Sequence, residues 1–196
     1  MKLFMDSSTQ YLYLALYDKD VVATYIRNGK NDHSETLTDA LDKFLKNNSV
    51  TVDDIDSIFV GRGPGSYTGV RISGTVAKVL ALIKNKKLYS FSTLDLVLAS
   101  RINTSGLYMP RIVAKKQHSY YKLVKIVDNK ITFDSNDSFS IDTKLEQYSN
   151  YTVIEVNDEL FENPNILVTT ILKNNLYLEE DVFGYVPNYL RSEING

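Results

Sequence analysis

Apolar and polar positions change period twice along the chain. Leu3-Phe4-Met5 is a short apolar run, and residues 11–17 alternate, with Leu12, Leu14 and Leu16 on one face and Tyr11, Tyr13 and Tyr17 on the other. Residues 21–26 follow across Asp18-Lys19-Asp20, a polar hairpin turn, so the three segments predict an antiparallel meander. A helical period then takes over. Leu37, Ala40, Leu41, Phe44 and Leu45 fall on one stripe. Asp32 with Glu35 supplies an N-cap and N3 pair, with Ser34 an alternative cap. Residues 55–60 predict a buried strand, followed by a glycine-rich turn and a long helix over 67–84. Residues 88–91 predict another strand, and Ser92 and Asp95 open a helix running to Ser100.

This order, three meandering strands and then strand–helix alternation, predicts an α/β chain with an actin-like (ribonuclease-H-like) lobe. The second half repeats it more faintly. Strands are expected over 111–114, 120–127, 131–133 and 153–156 and a helix over 166–178, while 135–151 is polar and poorly patterned. So short a segment cannot hold a full second copy. The expected organisation is therefore two lobes, 1–103 and a reduced 104–196, with a return of the last residues to the first lobe left open.

Composition narrows the classes. The chain has 196 residues, 43% hydrophobic and 23% charged, with a formal net charge of −2, which fits a globular protein and gives no general attraction to nucleic acid. Cysteine is absent, which excludes disulfides, thiolate metal sites and a cysteine nucleophile. The apolar run at the N-terminus is too short for a signal-peptide core and no run approaches the ~20 residues of a bilayer span, so a cytoplasmic protein without membrane partners is expected.

The most informative segment is Gly61-Arg62-Gly63-Pro64-Gly65-Ser66-Tyr67-Thr68-Gly69-Val70-Arg71-Ile72. A turn between strand and helix can hold an anion on free N–H groups. This one matches neither phosphate code: no lysine occurs until Lys78, and the dinucleotide pattern fails at Ser66 and Thr68. Its glycines alternatively supply only backbone angles. At 100° per residue, Ile72, Val76, Val79 and Ile83 share one face of the following helix, and Val70, Gly74, Ala77 and Ala81 the opposite one. The bulky face is expected to fill the lobe core. The smooth face would then receive either helix 37–45 of the same chain or the helices of a partner.

The twelve-residue segment closely resembles the signature of the TsaB (YeaZ) family, and the similarity continues through Met5-Asp6-Ser7-Ser8-Thr9, His33-Ser34-Glu35, Phe91-Ser92-Thr93-Leu94 and Pro187-Asn188-Tyr189-Leu190-Arg191. The resemblance implies an actin-like, non-catalytic relative of TsaD in the machinery that makes threonylcarbamoyladenosine in tRNA. It implies a TsaD-like catalytic paralogue as partner, bound through the helices at 34–47 and 67–84. It further implies a TsaE-like ATPase in the complex, a homodimer when the chain is alone, and tRNA contact only through the complex. Partner-binding residues are then expected at Leu37, Leu41, Tyr67, Val70, Arg71, Gly74, Ala77, Lys78 and Ala81.

Other chemistries compete with this reading. Asp6-Ser7-Ser8-Thr9 stands where actin-like ATPases hold phosphate, so a vestigial phosphate loop and a free-standing ATPase or small-molecule kinase form the competing reading; a local turn around Asp6 is the plainer one. The second lobe departs from the family, with Ala114-Lys115-Lys116-Gln117 where an Asp-Ala-Arg-like segment is usual and Val156-Asn157-Asp158 in place of a Gly-x-Gly. No cofactor of its own is expected, a nucleotide at a shared subunit interface being left open. His33 and His118 have no histidine at metal-ligand spacing, and no Ser/His/Asp set can be assembled. Tyr120-Tyr121 beside Lys115, Lys116 and Lys122 would either stack RNA or cover a sheet face. A dimeric binding module unrelated to tRNA is a third reading.

Overall fold

The computed structural model describes residues 1–29, 33–115 and 117–190, with the side chains of 33–35 excepted. Its first sheet grows from the predicted meander. β1 (Lys2–Asp6), β2 (Tyr11–Asp18) and β3 (Asp20–Asn28) pair antiparallel, with Leu3 opposite Leu16 and Leu14 opposite Tyr25. On the other side of β1, β4 (Ser57–Gly61) and then β5 (Lys87–Phe91) add in parallel. Helix α1 (His33–Asn47) connects β3 to β4, and α2 (Tyr67–Lys84) connects β4 to β5. The proposed Asp32 cap lies outside the described residues. β4 starts later than the apolar pattern does, because Ile55 closes a 3-10 turn over Val52–Asp54.

Both faces of this sheet are buried, as the two apolar sets on β2 require. Leu12, Leu14 and Leu16 pack with Leu37, Leu41, Phe44, Ala77 and Ala81 under α1 and α2. Tyr11, Tyr13 and Ala15 pack with Phe4, Phe59 and α3 (Thr93–Ala99), where the Phe4 and Phe59 rings stack at 4.5 Å. Every residue of α3 is buried, because a second sheet closes over it.

That second sheet comprises β6 (Gly106–Val113), β7 (His118–Tyr121), β8 (Val124–Val127), β9 (Lys130–Phe133), β10 (Ser138–Ile141) and β11 (Thr152–Glu155). The single strand expected over 120–127 is two. β7 pairs with 111–113 and β8 with 106–108, and the alternation breaks where Lys122, Leu123 and Val124 are all buried. The polar 135–151 stretch contains β10, held by pairing with β7, and a single turn, α4 (Asp142–Leu145). Half-buried edge pairing of this kind leaves little mark on local patterning. The last helix, α5 (Pro164–Lys173), ends before 178. Asn175 takes φ 52° just past the end and Leu176 N–H returns to the Ile171 carbonyl. The chain then rejoins the first sheet as β12 (Leu178–Glu180), antiparallel to β5.

The extent of α2 matches the expectation; its orientation is reversed. Val70, Gly74, Ala77 and Ala81 face inward, Val70 and Ala81 2% and Ala77 0% exposed, against β4, β1 and β5. Tyr185 from the C-terminal segment fills the notch at Gly74, where an added Cβ would meet its ring. The bulky face opens outward toward its C-terminal end, with Ile83 73% and Val79 45% exposed, while Ile72 and Val76 are half-buried at the edge of the core. Small side chains let a helix approach a sheet already filled by Leu3, Met5, Ile58 and Val60, so bulk is the wrong guide here. The expectation that Val70, Gly74, Ala77 and Ala81 receive a partner is therefore overturned. Leu37 and Leu41 are buried in the same core, whereas Tyr67 and Arg71 are exposed and Lys78 half-buried.

Overfilling the inward face should cost more than trimming the outward one. Ala77→Leu is expected to destabilise by about 1–3 kcal/mol, and Ile83→Ala by no more than about 0.5 kcal/mol. Urea denaturation of both variants measures this, and equal losses would contradict the orientation of α2.

Candidate functional site

The glycine-rich turn docks onto the end of β1. Ser66 N–H donates to the Ser8 carbonyl at 2.6 Å, and Ser7 Oγ donates to the Gly69 carbonyl at 2.8 Å. A side chain at Gly65 or Gly69 would overlap the Ser8 or Ser7 carbonyl, so the glycines here serve close approach. Only Gly63, at φ +86°, supplies a backbone angle that other residues rarely adopt. Ser66 caps α2, its hydroxyl accepting from Gly69 N–H.

The other matching fragments converge on the same place. Arg62 N–H donates to the Phe91 carbonyl, Thr93 N–H to the Gly63 carbonyl and Asn188 N–H to the Arg62 carbonyl, at 2.8–2.9 Å. Thr93 Oγ1 donates to Asp6 Oδ2 at 2.8 Å, and the Tyr67 and Tyr189 rings lie 5.2 Å apart. Four fragments scattered over the chain thus form one hydrogen-bonded knot. His33-Ser34-Glu35 cannot be placed in it, since their side chains are not described, and Arg191 lies outside the described residues.

The expected phosphate loop is closed by this knot. Asp6, Ser7 and Ser8 are 3%, 0% and 1% exposed. Asp6 Oδ1 accepts from Ser8 N–H at 2.7 Å, the local turn weighed from the sequence. Thr9 is half-buried and, with Gln10, lines a groove against Ile112, Val113 and Lys115 of the second sheet. The other second-lobe segment that departs from the family is also structural. Asn157 caps a 3-10 turn, and Asp158 Oδ1 accepts from Tyr11 Oη at 2.7 Å. Burial and that carboxylate push the Tyr11 phenol up to about 12.

Sequence reasoning missed a buried charge cluster between the sheets. Lys122 Nζ lies 2.6 Å from Asp95 Oδ1 and 2.8 Å from Asp137 Oδ1, all three side chains being under 10% exposed, at 8%, 9% and 7%. Ser92 Oγ and Asn188 Nδ2 donate to Asp137 Oδ2 at 2.8 and 3.1 Å. From the sequence, Asp95 reads only as part of the opening of α3. The available signal was the lysine breaking an otherwise apolar alternation at 122. Its burial, and the burial of Tyr120, remove two members of the aromatic and basic patch weighed for RNA; His118 stacks on Phe139, and Lys116 lies outside the described residues. Among the described residues no group of three or more histidine or acidic side chains is placed to hold a metal ion. Nor, among them, is any helix long and apolar enough to cross a membrane.

Removing the lysine strands two carboxylates. Lys122→Met is expected to cost about 3–5 kcal/mol at pH 7. Burial holds the Asp95 carboxyl above its ordinary range, against the opposing pull of Lys122. A raised native value stabilises fully below the unfolded carboxylate pKa and is lost as pH rises through the native one. The variant, raised further, should therefore close part of its deficit as pH falls from 7 toward 5. Denaturation midpoints across that window measure it, and a deficit constant with pH would contradict the assignment.

Comparison with known proteins supplies the context. Residues 21–164 match the family model described as TsaD, tRNA N6-adenosine threonylcarbamoyltransferase. The tRNA threonylcarbamoyladenosine biosynthesis protein TsaB of Bacillus subtilis is 35% identical over 60% of this chain, which spans about half (52%) of that relative. The protein of the same name from Haemophilus influenzae is 22% identical, with 98% of this chain and 94% of the relative covered. YeaZ from Pseudomonas aeruginosa superposes with a TM-score of 0.74 at 17% identity, covering 96% of this chain and 99% of that one, which establishes the actin-like fold. The chain belongs to the TsaB (YeaZ) family, within the wider family of the TsaD model.

Proposed function

We propose that this chain is a non-catalytic subunit of the machinery that makes threonylcarbamoyladenosine in tRNA, acting by docking onto a TsaD-like catalytic paralogue. The relatives named above support the pathway. The observation that carries the docking is the outward face of α2. Ile72, Val76, Val79 and Ile83 form one stripe, flanked by Leu82 at 45% exposure. Ile72 and Val76 are half-buried against the core, so the open part is its C-terminal end, Val79, Leu82 and Ile83. An apolar patch left open on a helix whose other side is packed marks a surface made for another protein. The side is opposite to the one expected from residue size. Tyr67 and Arg71 lie at its N-terminal end, the Arg71 guanidinium 5.2 Å over the Tyr67 ring, and form the polar margin of the contact. In the same reading the face pairs with a second copy when the paralogue is absent, and a TsaE-like ATPase and tRNA are reached only through the complex. The division into lobes at 103, with β12 returning to the first sheet, leaves this face on the N-terminal lobe. The competing kinase reading would need Asp6 and Ser7, whose side chains are engaged by Ser8, Thr93 and Gly69.

Val79→Asp and Ile83→Asp place carboxylates on the stripe without touching the core. Both variants are expected to keep the parent melting temperature, to lose co-purification with the paralogue, and to lower threonylcarbamoyladenosine in tRNA when they replace the parent chain. Retained co-purification by the double variant would overturn the docking face. Unchanged tRNA modification after depletion of the chain would overturn the pathway.

A further inference from the structure

The cleft above the Asp95–Lys122–Asp137 cluster takes no part in the proposed docking, yet it is lined by Arg62, whose Nε has no hydrogen-bond partner among the described residues. The backbone of Arg62 is fixed on both sides, to Phe91 and to Asn188. Its side chain reaches the cleft with Nε buried and no acceptor among the described residues. A buried N–H left unmet costs about 1–3 kcal/mol, so such a group is retained where something is to meet it. The cleft measures about 640 Å³, within the ~300–1,000 Å³ typical of small-molecule sites.

The charges around it are interleaved. Lys122 Nζ donates to Asp95 Oδ1 and lies 4.6 Å over the Phe133 ring, while Asp137 Oδ1, 2.8 Å from it as an ion pair, is buried without a hydrogen-bond donor among the described residues. Asp95 engages Lys122 through Oδ1, leaving its second oxygen available. Arg62 and Lys122 balance Asp95 and Asp137, so these four carry no net charge while presenting both signs. A lone anion here would sit beside two buried carboxylates, and a lone cation beside two cations; each arrangement is costly against charges so little exposed. A molecule bearing both signs a few ångströms apart avoids both penalties. We propose that this cleft binds a small zwitterion of the α-amino-acid class, its carboxylate on the Arg62 guanidinium and its ammonium on Asp95 and Asp137. Phe133, Tyr177 and Leu190 on the walls receive its side chain. The planar guanidinium suits a carboxylate because it can offer two parallel N–H groups.

The test uses the full chain alone, without any paralogue, so its outcome is separate from that of the docking reading. Calorimetry is run with each of the twenty common α-amino acids, with acetate and methylammonium as the two singly charged halves. At least one amino acid is expected to bind and neither half to do so comparably. Arg62→Gln should weaken that binding by at least about tenfold while leaving the ligand-free melting temperature unchanged. Should Arg62→Gln fold poorly, Arg62→Lys keeps the charge, loses the paired N–H groups, and is expected to weaken binding less but measurably. No heat with any amino acid at millimolar concentration overturns the proposal. So does acetate binding as tightly as the best amino acid, or affinity unchanged in a folded Arg62 variant.

Discussion

The glycine-rich turn and the end of β1 approach so closely that neither Gly65 nor Gly69 has room for a side chain, and the remaining architecture follows from that approach. With Ser66 bonded to the Ser8 carbonyl and Ser7 to the Gly69 carbonyl, the first turn of α2 is pinned to the sheet and cannot rotate about its axis. Its small residues then meet the sheet, Tyr185 seats against Gly74, and Val79 and Ile83 are left facing outward. The same knot occupies the Ser7 hydroxyl and the Asp6 carboxylate, while Ser8 takes part through its backbone. One set of contacts thus buries the turn at Asp6, Ser7 and Ser8 and leaves Val79 and Ile83 facing outward.

Much of this was legible from residue order. The meander, the start and end of α2 and the two apolar sets of β2 follow from periodicity and turn residues, because those features are local. The face of α2 was not legible. Both of its sides are apolar, and the choice between them rests on partners distant in sequence, namely a sheet already filled by large residues and Tyr185 near the other end of the chain. Size suggested that bulk goes inside; close packing against a sheet favours alanine and glycine there.

The charge cluster shows the same limit. Asp95, Lys122 and Asp137 belong to a helix, a strand break and a loop. Nothing in their spacing joins them, although a lysine in an apolar strand hints that a partner exists. The polar 135–151 stretch gave little local signal because β10 is held by an edge pairing with β7. The fragments that carry the family resemblance, by contrast, were individually uninformative about geometry and meet in one hydrogen-bonded knot.

The orientation of α2 and its use as a docking face can be tested in one measurement, since the chain contains no cysteine. Single-cysteine variants Ile83→Cys and Ala81→Cys would be labelled with a thiol reagent, alone and after mixing with the TsaD-like paralogue. The account predicts rapid labelling at 83 in the free chain, protection there in the complex, and slow labelling at 81 in both. Fast labelling at 81 in the free chain, lost on mixing, would contradict it.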